Sequence, residues 1–278
     1  IIQTVYTLEA AEAISQKAKE RNKTATIHLK IDTGMGRIGF LPGNEESLQQ
    51  IERIFQLPNL YVEGIYTHLA RADERDKTFA YEQLASFDDF LSKMRQKGLT
   101  VPIVHAANSA ATMELPQSHY NMVRPGIVLY GHRPSDEVDM SRFSLQPALT
   151  LRAQVSCVKE LPPGSPIGYG SKFVTQRRSV IASLPVGYAD GFSRLLFPGY
   201  QVLIRGKRCP VVGNICMDQM MVDITELGQV PVGEEAILIG KQGDDCITVE
   251  EIAKQMGTIN YEVICMLSER LPRVYVYR

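Results

Sequence analysis

Charged side chains follow an apolar, β-rich stretch in HLKIDTGMGRIGF (28–40), where their types and spacing could support chemistry. Lys30 and Asp32 end the predicted strand, and Arg37 follows in a glycine-rich turn. The loops at the carboxyl ends of strands are where α/β enzymes place catalytic and binding groups. A solvated turn with ordinary surface charges explains these residues equally well.

The letters GMGRIG (34–39) also fit the spacing G-x-G-x-x-G of dinucleotide-binding turns. That motif needs a helix at its last glycine and, about 20 residues later, an acid ending the next strand. The next helix is predicted only from Asn44, a good N-cap, and the positions about 20 residues on fall inside that helix. The sequence therefore excludes a dinucleotide site here.

Two further stretches place a polar residue where it could bind a ligand. In HAANSAA (105–111), Ser109 lies between a predicted strand and helix, so its hydroxyl and the helix amino terminus could bind a phosphate. A plain serine N-cap is the commoner alternative. In VRPGIVLYG (123–131), Arg124 lies within an apolar strand and requires a partner, either an ion-pair residue or a ligand.

The second half contains candidate residues in turns. Tyr169 in IGYGS and Tyr188 in GYADG are either packing anchors, the commoner case, or catalytic side chains. Met217 lies in GNICMDQ (213–219), a Gly-Asn turn more typical of a sheet edge than of a site.

The composition is that of a globular protein. The chain has 278 residues, 44% hydrophobic and 22% charged, with net charge −1, which allows one large or two medium domains. The near-zero charge argues against a nucleic-acid partner. No apolar stretch approaches a membrane span, and no signal-peptide pattern opens the chain. The 5 scattered cysteines lack a C-x-x-C pair, which predicts free thiols, a cytoplasmic protein and no metal site.

The first half alternates predicted strands and helices, which implies a parallel sheet, either doubly wound or part of a barrel. Strands are predicted at 1–7, 24–32, 60–69, 101–108 and 121–131, with helices near 9–22, 44–56, 76–97 and 109–115. A polar segment at 132–147 then interrupts the pattern.

The second half is predicted to be mainly β. Short β-rich runs alternate with the turn signals PPGS, ADG, PG and QGDD, and two helices near 248–256 and 260–269 precede a last strand at 273–278. We therefore predict two domains, residues 1–144 and residues 145–278.

These stretches together resemble the alanine racemases that depend on pyridoxal 5'-phosphate (PLP). The resemblance extends over nearly the whole chain, and eight stretches match in order: KIDTGMGRIG, THLARADE, HAANSAA, MVRPGIVLYG, GYG, PVGYADGF, GNICMDQ and INYEVIC. It implies a (β/α)8 barrel of the TIM type followed by a mainly β C-terminal domain. It also implies a homodimer whose active sites combine residues of both chains.

The resemblance implies a cofactor site on the barrel loops. Ser109 and the backbone amides of Gly126 and Ile127 would bind the PLP phosphate, together with the hydroxyl of Tyr261. Arg124 would face the pyridine nitrogen, and a guanidinium keeps its proton because its pKa exceeds about 12. The cofactor is then a weaker electron sink, which favours proton exchange over side reactions.

The substrate side of the site is implied in the same way. Arg37 would lie near the cofactor phenolic oxygen and the alanine carboxylate, oriented by Lys30, which is often carbamylated in this family. Tyr169 would be the acid/base on one face of the substrate, contributed across the dimer and linked through His68 to the arginine.

The resemblance has two further implications, one for the entrance to the substrate site and one for the lysine that binds PLP. Tyr188 and Met217 would line the substrate entrance of the partner chain. The lysine that forms a Schiff base with PLP lies near the start of these racemases, in a segment preceding anything matched here. A full barrel takes about 250 residues, so we expect this chain to be a C-terminal portion without the first three strands, inactive alone.

The sequence thus predicts racemisation of L- and D-alanine by a two-base mechanism, supplying D-alanine for cell-wall peptidoglycan. Three alternatives stay open at this stage. Serine could replace alanine as the substrate. A related PLP barrel decarboxylase would place an acid at the pyridine nitrogen, which Arg124 argues against. A non-catalytic assembly module would be consistent with the absent lysine.

Overall fold

The computed structural model describes residues 1–276 and contains two compact units, divided between Gln146 and Pro147. The first unit alternates parallel strands and helices, as the apolar periodicity predicts. Its elements are β1 (Gln3–Val5), α1 (Leu8–Glu20), β2 (Ala25–Lys30), α2 (Glu45–Gln56), β3 (Leu60–Tyr66), α3 (Thr78–Gln96), β4 (Ile103–His105) and α4 (Ser109–Glu114).

The helices of this unit begin where short polar side chains satisfy free backbone donors. Asn44 caps α2 as predicted, its side chain accepting from the amide of Glu46 at 2.9 Å. Thr7 caps α1 in the same manner. Both helices place their apolar side against the sheet, and the core between them includes Ile27, Leu29 and Ile51.

The four strands pair in the consecutive order β1-β2-β3-β4, all parallel. Doubly wound sheets reverse their strand order at a switch point, whereas a barrel adds each strand beside the previous one. The observed order is therefore that of a barrel. Its register aligns Lys30, Tyr66 and His105 across the carboxyl ends of β2, β3 and β4.

The fifth predicted strand, 121–131, is wrong. Only an isolated parallel bridge joins Met122 to His105, and Ile127–Tyr130 form a short 3-10 helix. Pro125 has no N–H to donate to a ladder, so the apolar run cannot continue as a strand through it.

The second unit is mainly β, as predicted. The strands are β5 (Leu151–Gln154), β6 (Cys157–Leu161), β7 (Pro166–Ile167), β8 (Phe173–Val174), β9 (Ser179–Leu184), β10 (Gln201–Ile204), β11 (Lys207–Pro210), β12 (Met220–Asp223), β13 (Glu235–Gln242) and β14 (Asp245–Ile247). A five-stranded sheet has the order β11-β10-β13-β14 with β5 beside β13, and separate sheets are β12-β9-β6 and β7-β8.

Two helices follow, α5 (Val249–Met256) and α6 (Asn260–Met266), close to the predicted positions. The strand predicted at 273–278 is absent over 273–276, and its last two positions lie outside the described residues. Among residues 1–276, none of the helices combines the length and apolar character needed to cross a bilayer.

Candidate functional site

Several polar side chains of the first unit line one cleft that extends along its strands to their carboxyl ends. Its volume is about 440 Å³, and the residues that line it include Arg37, Glu63, Tyr66, His68, His105 and Arg124. The parallel register explains the convergence, because equivalent strand ends meet at the same edge of a parallel sheet.

Arg124 is the most heavily bonded side chain in the cleft. Its Nη2 donates to the carbonyl oxygens of Thr67 at 2.9 Å and Ala106 at 3.1 Å, and its Nη1 donates to Nδ1 of His105. The guanidinium carbon lies 5.0 Å from the centre of the Tyr66 ring, within cation–π range. These contacts fix the plane of the guanidinium.

The hydrogen bond between His68 and Arg124 expected from the resemblance is present, with Nδ1 of His68 at 3.2 Å from Nη2. An arginine can only donate, so Nδ1 of His68 must accept and the ring hydrogen lies on Nε2. Burial, with the charges of Arg124 and Arg37, lowers the pKa of His68 to about 4. The imidazole is therefore a neutral N–H donor at pH 7.

Burial lowers the pKa of Arg124 to about 10, with the nearby Tyr66 opposing the shift. The guanidinium remains a cation at neutral pH. It can therefore face a ring nitrogen as a hydrogen-bond donor without transferring a proton to it.

Lys30 ends β2 and is buried, with 1% of its surface exposed. Its Nζ donates to the carbonyl oxygen of Ile31 at 2.6 Å. Burial lowers the pKa of this amine to about 8, although Asp32 opposes the shift. A buried lysine with a depressed pKa has the neutral fraction that nucleophilic amine chemistry requires.

Arg37 stands exposed on a loop that Asp32 holds in place. One carboxylate oxygen of Asp32 accepts from the amides of Gly34, Met35 and Gly36 at 3.0, 2.8 and 3.1 Å. Within the described chain Arg37 makes no ion pair, so its charge is available to a ligand.

The loop closes back on the strand through Gly39, whose φ is +138°. A Cβ at this position would lie 2.5 Å from the backbone nitrogen of Asp32. Only glycine fits both the conformation and the contact. The glycine pattern that resembled a dinucleotide motif is thus explained by the shape of this loop.

Ser109 and Gly126 meet below the same strand ends. The Ser109 hydroxyl accepts from the backbone amide of Gly126 at 2.7 Å, and the side chain is buried. The alternative of a plain serine cap is wrong, because Asn108 caps the helix through the amide of Ala111. Ile127 begins the adjacent 3-10 helix. A hydroxyl and amides in this arrangement can bind a phosphate group.

The candidates of the second unit form a pair of adjoining segments. Tyr188 donates its backbone N–H to the carbonyl of Cys216 at 3.1 Å, and Ala189 donates to that of Met217 at 2.8 Å. Tyr188 and Met217 therefore lie in adjoining backbone segments, and the side chains of both are exposed.

Among the candidate side chains of the second unit, Tyr169 is the most exposed, with 74% of its surface accessible. Its carbonyl oxygen accepts from the Asn214 side-chain amide at 2.7 Å, which fixes the turn. Tyr261 lies on α6 and is partly exposed. In residues 1–276, no cluster of histidine, cysteine or acidic side chains has the arrangement of a metal site.

The sequence reasoning missed four titratable residues of the cleft: His28, Glu63, Tyr66 and His105. His105 is the first residue of the Ser109 stretch and has no sequence signal of its own. The ring of Tyr66 stacks on that of His105 with centroids 4.7 Å apart and an interplanar angle of 6°. Strand alternation could have placed His28 and Lys30 on one face of β2, but not their partners on other strands.

Comparison with known proteins identifies relatives over the whole described site. Residues 1–134 match the family model described as alanine racemase, N-terminal domain, and residues 148–275 match alanine racemase, C-terminal domain. Alanine racemase 1 of Clostridium acetobutylicum is 48% identical over 276 residues, covering 99% of this chain and 71% of that protein. The alanine racemase of Methanococcus maripaludis is 50% identical, with 99% and 73% covered.

Solved structures agree with these relatives. The alanine racemase of Clostridium difficile 630 superposes with a TM-score of 0.95 at 46% identity, covering 99% of this chain and 71% of that one. The alanine racemase of Bacillus anthracis with bound L-Ala-P gives 0.93 at 38% identity, with 99% and 70% covered.

Proposed function

Because this chain belongs to the alanine racemase family, with its barrel and C-terminal β domain, we propose that the protein interconverts L- and D-alanine with PLP as its cofactor. The observation that carries the proposal is Arg124, a cation anchored by His68 and His105 at the cleft, two residues from the Ser109–Gly126 contact. This arrangement suits a phosphorylated pyridine better than any ligand of another class.

The residues present fit PLP. The Ser109 hydroxyl and the amides of Gly126 and Ile127 are donors suited to a phosphate dianion, and we assign the Tyr261 hydroxyl to the same group. Arg124 would face the pyridine nitrogen. When bound, PLP supplies an electron sink for the carbanion left after removal of the alanine Cα proton.

Arg124 limits how far that sink is used. An acid at the pyridine nitrogen would share a proton with it, whereas a guanidinium keeps its own. After loss of its proton, the substrate Cα would then stay basic and would regain a proton at that carbon. This preference supports racemisation over transamination and over the related decarboxylases.

Tyr169 is proposed as the acid/base on one face of the substrate, contributed by the partner subunit of a homodimer. A tyrosine needs a stabilised phenolate to act as a base near neutral pH. The Nε2–H of His68 can donate to that oxygen, because Arg124 holds the opposite nitrogen of the ring as an acceptor. Tyr188 and Met217 would line the entrance to the site of the partner.

Arg37 is proposed to bind the substrate carboxylate, held in position by Lys30. The neutral Lys30 amine would add to CO2 and release a proton, forming a carbamate anion. That anion would attract Arg37 in place of the repulsion between two cations. Arg37 would then stand in a fixed position for the carboxylate of alanine.

The second base of a two-base mechanism is, in this family, the lysine bound to the cofactor. The chain spans about 71% of the length of the relative from Clostridium acetobutylicum. Lys30 is the only fully buried lysine among the described residues, and its proposed role is a different one. Borohydride reduction of the holoenzyme followed by peptide mass spectrometry would show which lysine carries PLP.

The central experiment measures Cα exchange by the holoenzyme. In D2O, L-alanine should yield D-alanine, detected with D-amino-acid oxidase, and deuterium should enter Cα of both enantiomers. L-serine in a parallel reaction would test the choice of substrate. Stoichiometric PLP binding without enantiomer exchange, or release of CO2, would rule out a racemase.

We further propose that the enzyme is cytoplasmic and that its D-alanine is used to build peptidoglycan.

A further inference from the structure

Arg124 is a cation without a direct counterion. Its acceptors are two backbone carbonyls and the imidazoles of His68 and His105, and in residues 1–276 no carboxylate contacts it. Holding a cation out of water among neutral groups is costly unless a negative charge compensates it. The compensating negative charge lies on a carboxylate that is linked to Arg124 only through other side chains.

A continuous chain of hydrogen bonds runs from His105 to a carboxylate. Nε2 of His105 lies 2.9 Å from Nδ1 of His28, and Nε2 of His28 lies 3.0 Å from Oε2 of Glu63. His28 and His105 are buried, and the side chain of Glu63 is 25% exposed. The chain therefore joins Arg124 to a partly exposed anion.

The chemistry of the two ends fixes every hydrogen in this chain. Arg124 can only donate, so Nδ1 of His105 accepts and its hydrogen must be on Nε2. That hydrogen points to Nδ1 of His28, which accepts in turn and carries its own hydrogen on Nε2. Glu63 is the acceptor that this last hydrogen requires.

The fold makes room for the central ring. The parallel pairing of β2 and β3 shifts between Ile27 and His28, which leaves Glu63 as the extra residue of β3 between Val62 and Gly64. A Cβ at Gly64 would lie 2.7 Å from Nε2 of His28, so only glycine leaves space for the ring.

We propose that Glu63 is a remote positioning residue for Arg124, acting through His28 and His105 to hold both rings in their hydrogen-bonded orientation and to compensate the guanidinium charge. The role in catalysis rests on the proposed function, whereas the hydrogen-bond chain does not. Burial and the charge of Arg124 lower the pKa of His105 to about 3, which agrees with a neutral ring.

The first test is structural and needs no activity. The chain contains 5 histidines, so selective ¹⁵N labelling and NMR can resolve each ring. We expect His28 and His105 to be neutral at pH 7.5 with hydrogen on Nε2. In Glu63→Leu, the Nε2–H of His28 loses its acceptor, so the ¹⁵N signal of that nitrogen should shift, whereas Glu63→Gln keeps an oxygen acceptor and should keep the signal near its wild-type position. Hydrogen on Nδ1 of either ring would overturn the proposal.

The second test is kinetic. In the holoenzyme, Glu63→Leu should lower kcat about tenfold and Glu63→Gln about threefold, with KM for alanine changed less than about twofold. KM should stay nearly unchanged because the hydrogen-bond chain from Glu63 contacts Arg124 and not the substrate carboxylate. Glu52→Leu is the matched control, since Glu52 pairs with Lys97 at 2.9 Å away from the cleft.

The two tests distinguish a failure of the proposed function from a failure of the proposed role of Glu63. A wild-type holoenzyme without racemase activity would refute the proposed function. The wild-type tautomers would still show whether the hydrogen-bond chain from Arg124 to Glu63 exists. If Glu63→Leu left both the His28 Nε2 signal and kcat unchanged, Glu63 would not position Arg124. If that variant failed to fold, the wild-type spectra and Glu63→Gln would still decide.

Discussion

Lys30 stands opposite Tyr66 on the neighbouring strand, and its buried Nζ lies 5.8 Å from the centre of that ring. An aromatic face is weaker compensation for an ammonium ion than a carboxylate would be. Burial consequently lowers the pKa of Lys30 to about 8, and part of the amine is neutral at physiological pH.

The first prediction is that Lys30 forms a carbamate. With ¹³C-bicarbonate, the holoenzyme should show one ¹³C carbamate signal that is lost in Lys30→Arg, because a guanidinium is not a nucleophile. Lys23→Arg, at an exposed lysine, is the control and should retain the signal. A signal that persists in Lys30→Arg would assign the carbamate to another lysine.

The second prediction concerns Asp32. Replacing it with alanine leaves the amides of Gly34, Met35 and Gly36 without their shared acceptor and loosens the loop that carries Arg37. We expect KM for alanine to rise about tenfold with a smaller change in kcat. The free energy of unfolding should fall by about 1–3 kcal/mol.

A matched control is Asp76→Ala, which removes an exposed carboxylate from the amide of Thr78. This variant should keep the KM of the wild type. If Asp32→Ala also kept that KM, the position of Arg37 would not depend on the Asp32 contacts.

The third prediction follows from the buried histidines. Burial first, and then Arg124, lowers the pKa of His68 from 6.5 to about 4 and that of His105 from 6.5 to about 3. In the unfolded chain both rings take up a proton near pH 6.5. In the folded chain they stay neutral at that pH, because their pKa values are lower. Stability is therefore full above that pH and is lost as the pH falls towards 3.

Each such proton changes the free energy of unfolding by about 1.4 kcal/mol per pH unit within its window. His105→Asn should remove one of these protons. The free energy of unfolding, measured with urea, should then depend less steeply on pH between 6.5 and 4. His119→Asn, outside the cleft, should retain the wild-type slope. Equal slopes in wild type and His105→Asn would mean that His105 is protonated in the folded protein.

The fourth prediction concerns Arg124→Glu. An acid at this position can share a proton with the pyridine nitrogen and strengthen the electron sink. We expect racemisation to fall by about 100-fold or more, while pyruvate from transamination rises. Arg53→Glu, an exposed partner of Glu12, makes the same charge change and should leave both rates unaltered. Unchanged rates in Arg124→Glu would make Arg124 a structural residue.

Local pattern was sufficient for most of the fold, because apolar periodicity and caps such as Asn44 act within a few residues. It failed at 121–131, where the apolar run predicted a strand but Pro125 has no N–H to donate to a ladder. The apolar residues of that segment do not share one environment, since Ile127 is buried whereas Leu129 and Tyr130 are exposed.

The site could be predicted only in part, because its geometry depends on pairing between distant segments. His28, Glu63 and His105 come together through the register of three strands and one shift in that register. Nothing near each residue in the sequence indicates the others. Arg124 was recognisable as a charge within an apolar run, but its role came from the resemblance.

The last prediction tests whether one site uses two chains. Arg124 belongs to the first unit and Tyr169 to the second, and we propose that they meet only across a dimer interface. Tyr169→Ala and Arg124→Glu should each be inactive as homodimers. After subunit exchange, a mixed dimer holds one site with both native residues and one site with neither.

With random exchange about half of the dimers are mixed, so roughly a quarter of the wild-type activity should return. Native mass spectrometry would verify the exchange, and a Tyr169→Ala sample mixed with Tyr169→Phe would control for effects of mixing alone. If verified exchange restores no activity, Tyr169 acts within its own chain or is not the base. A return to a quarter requires that each site combine Arg124 of one chain with Tyr169 of the other.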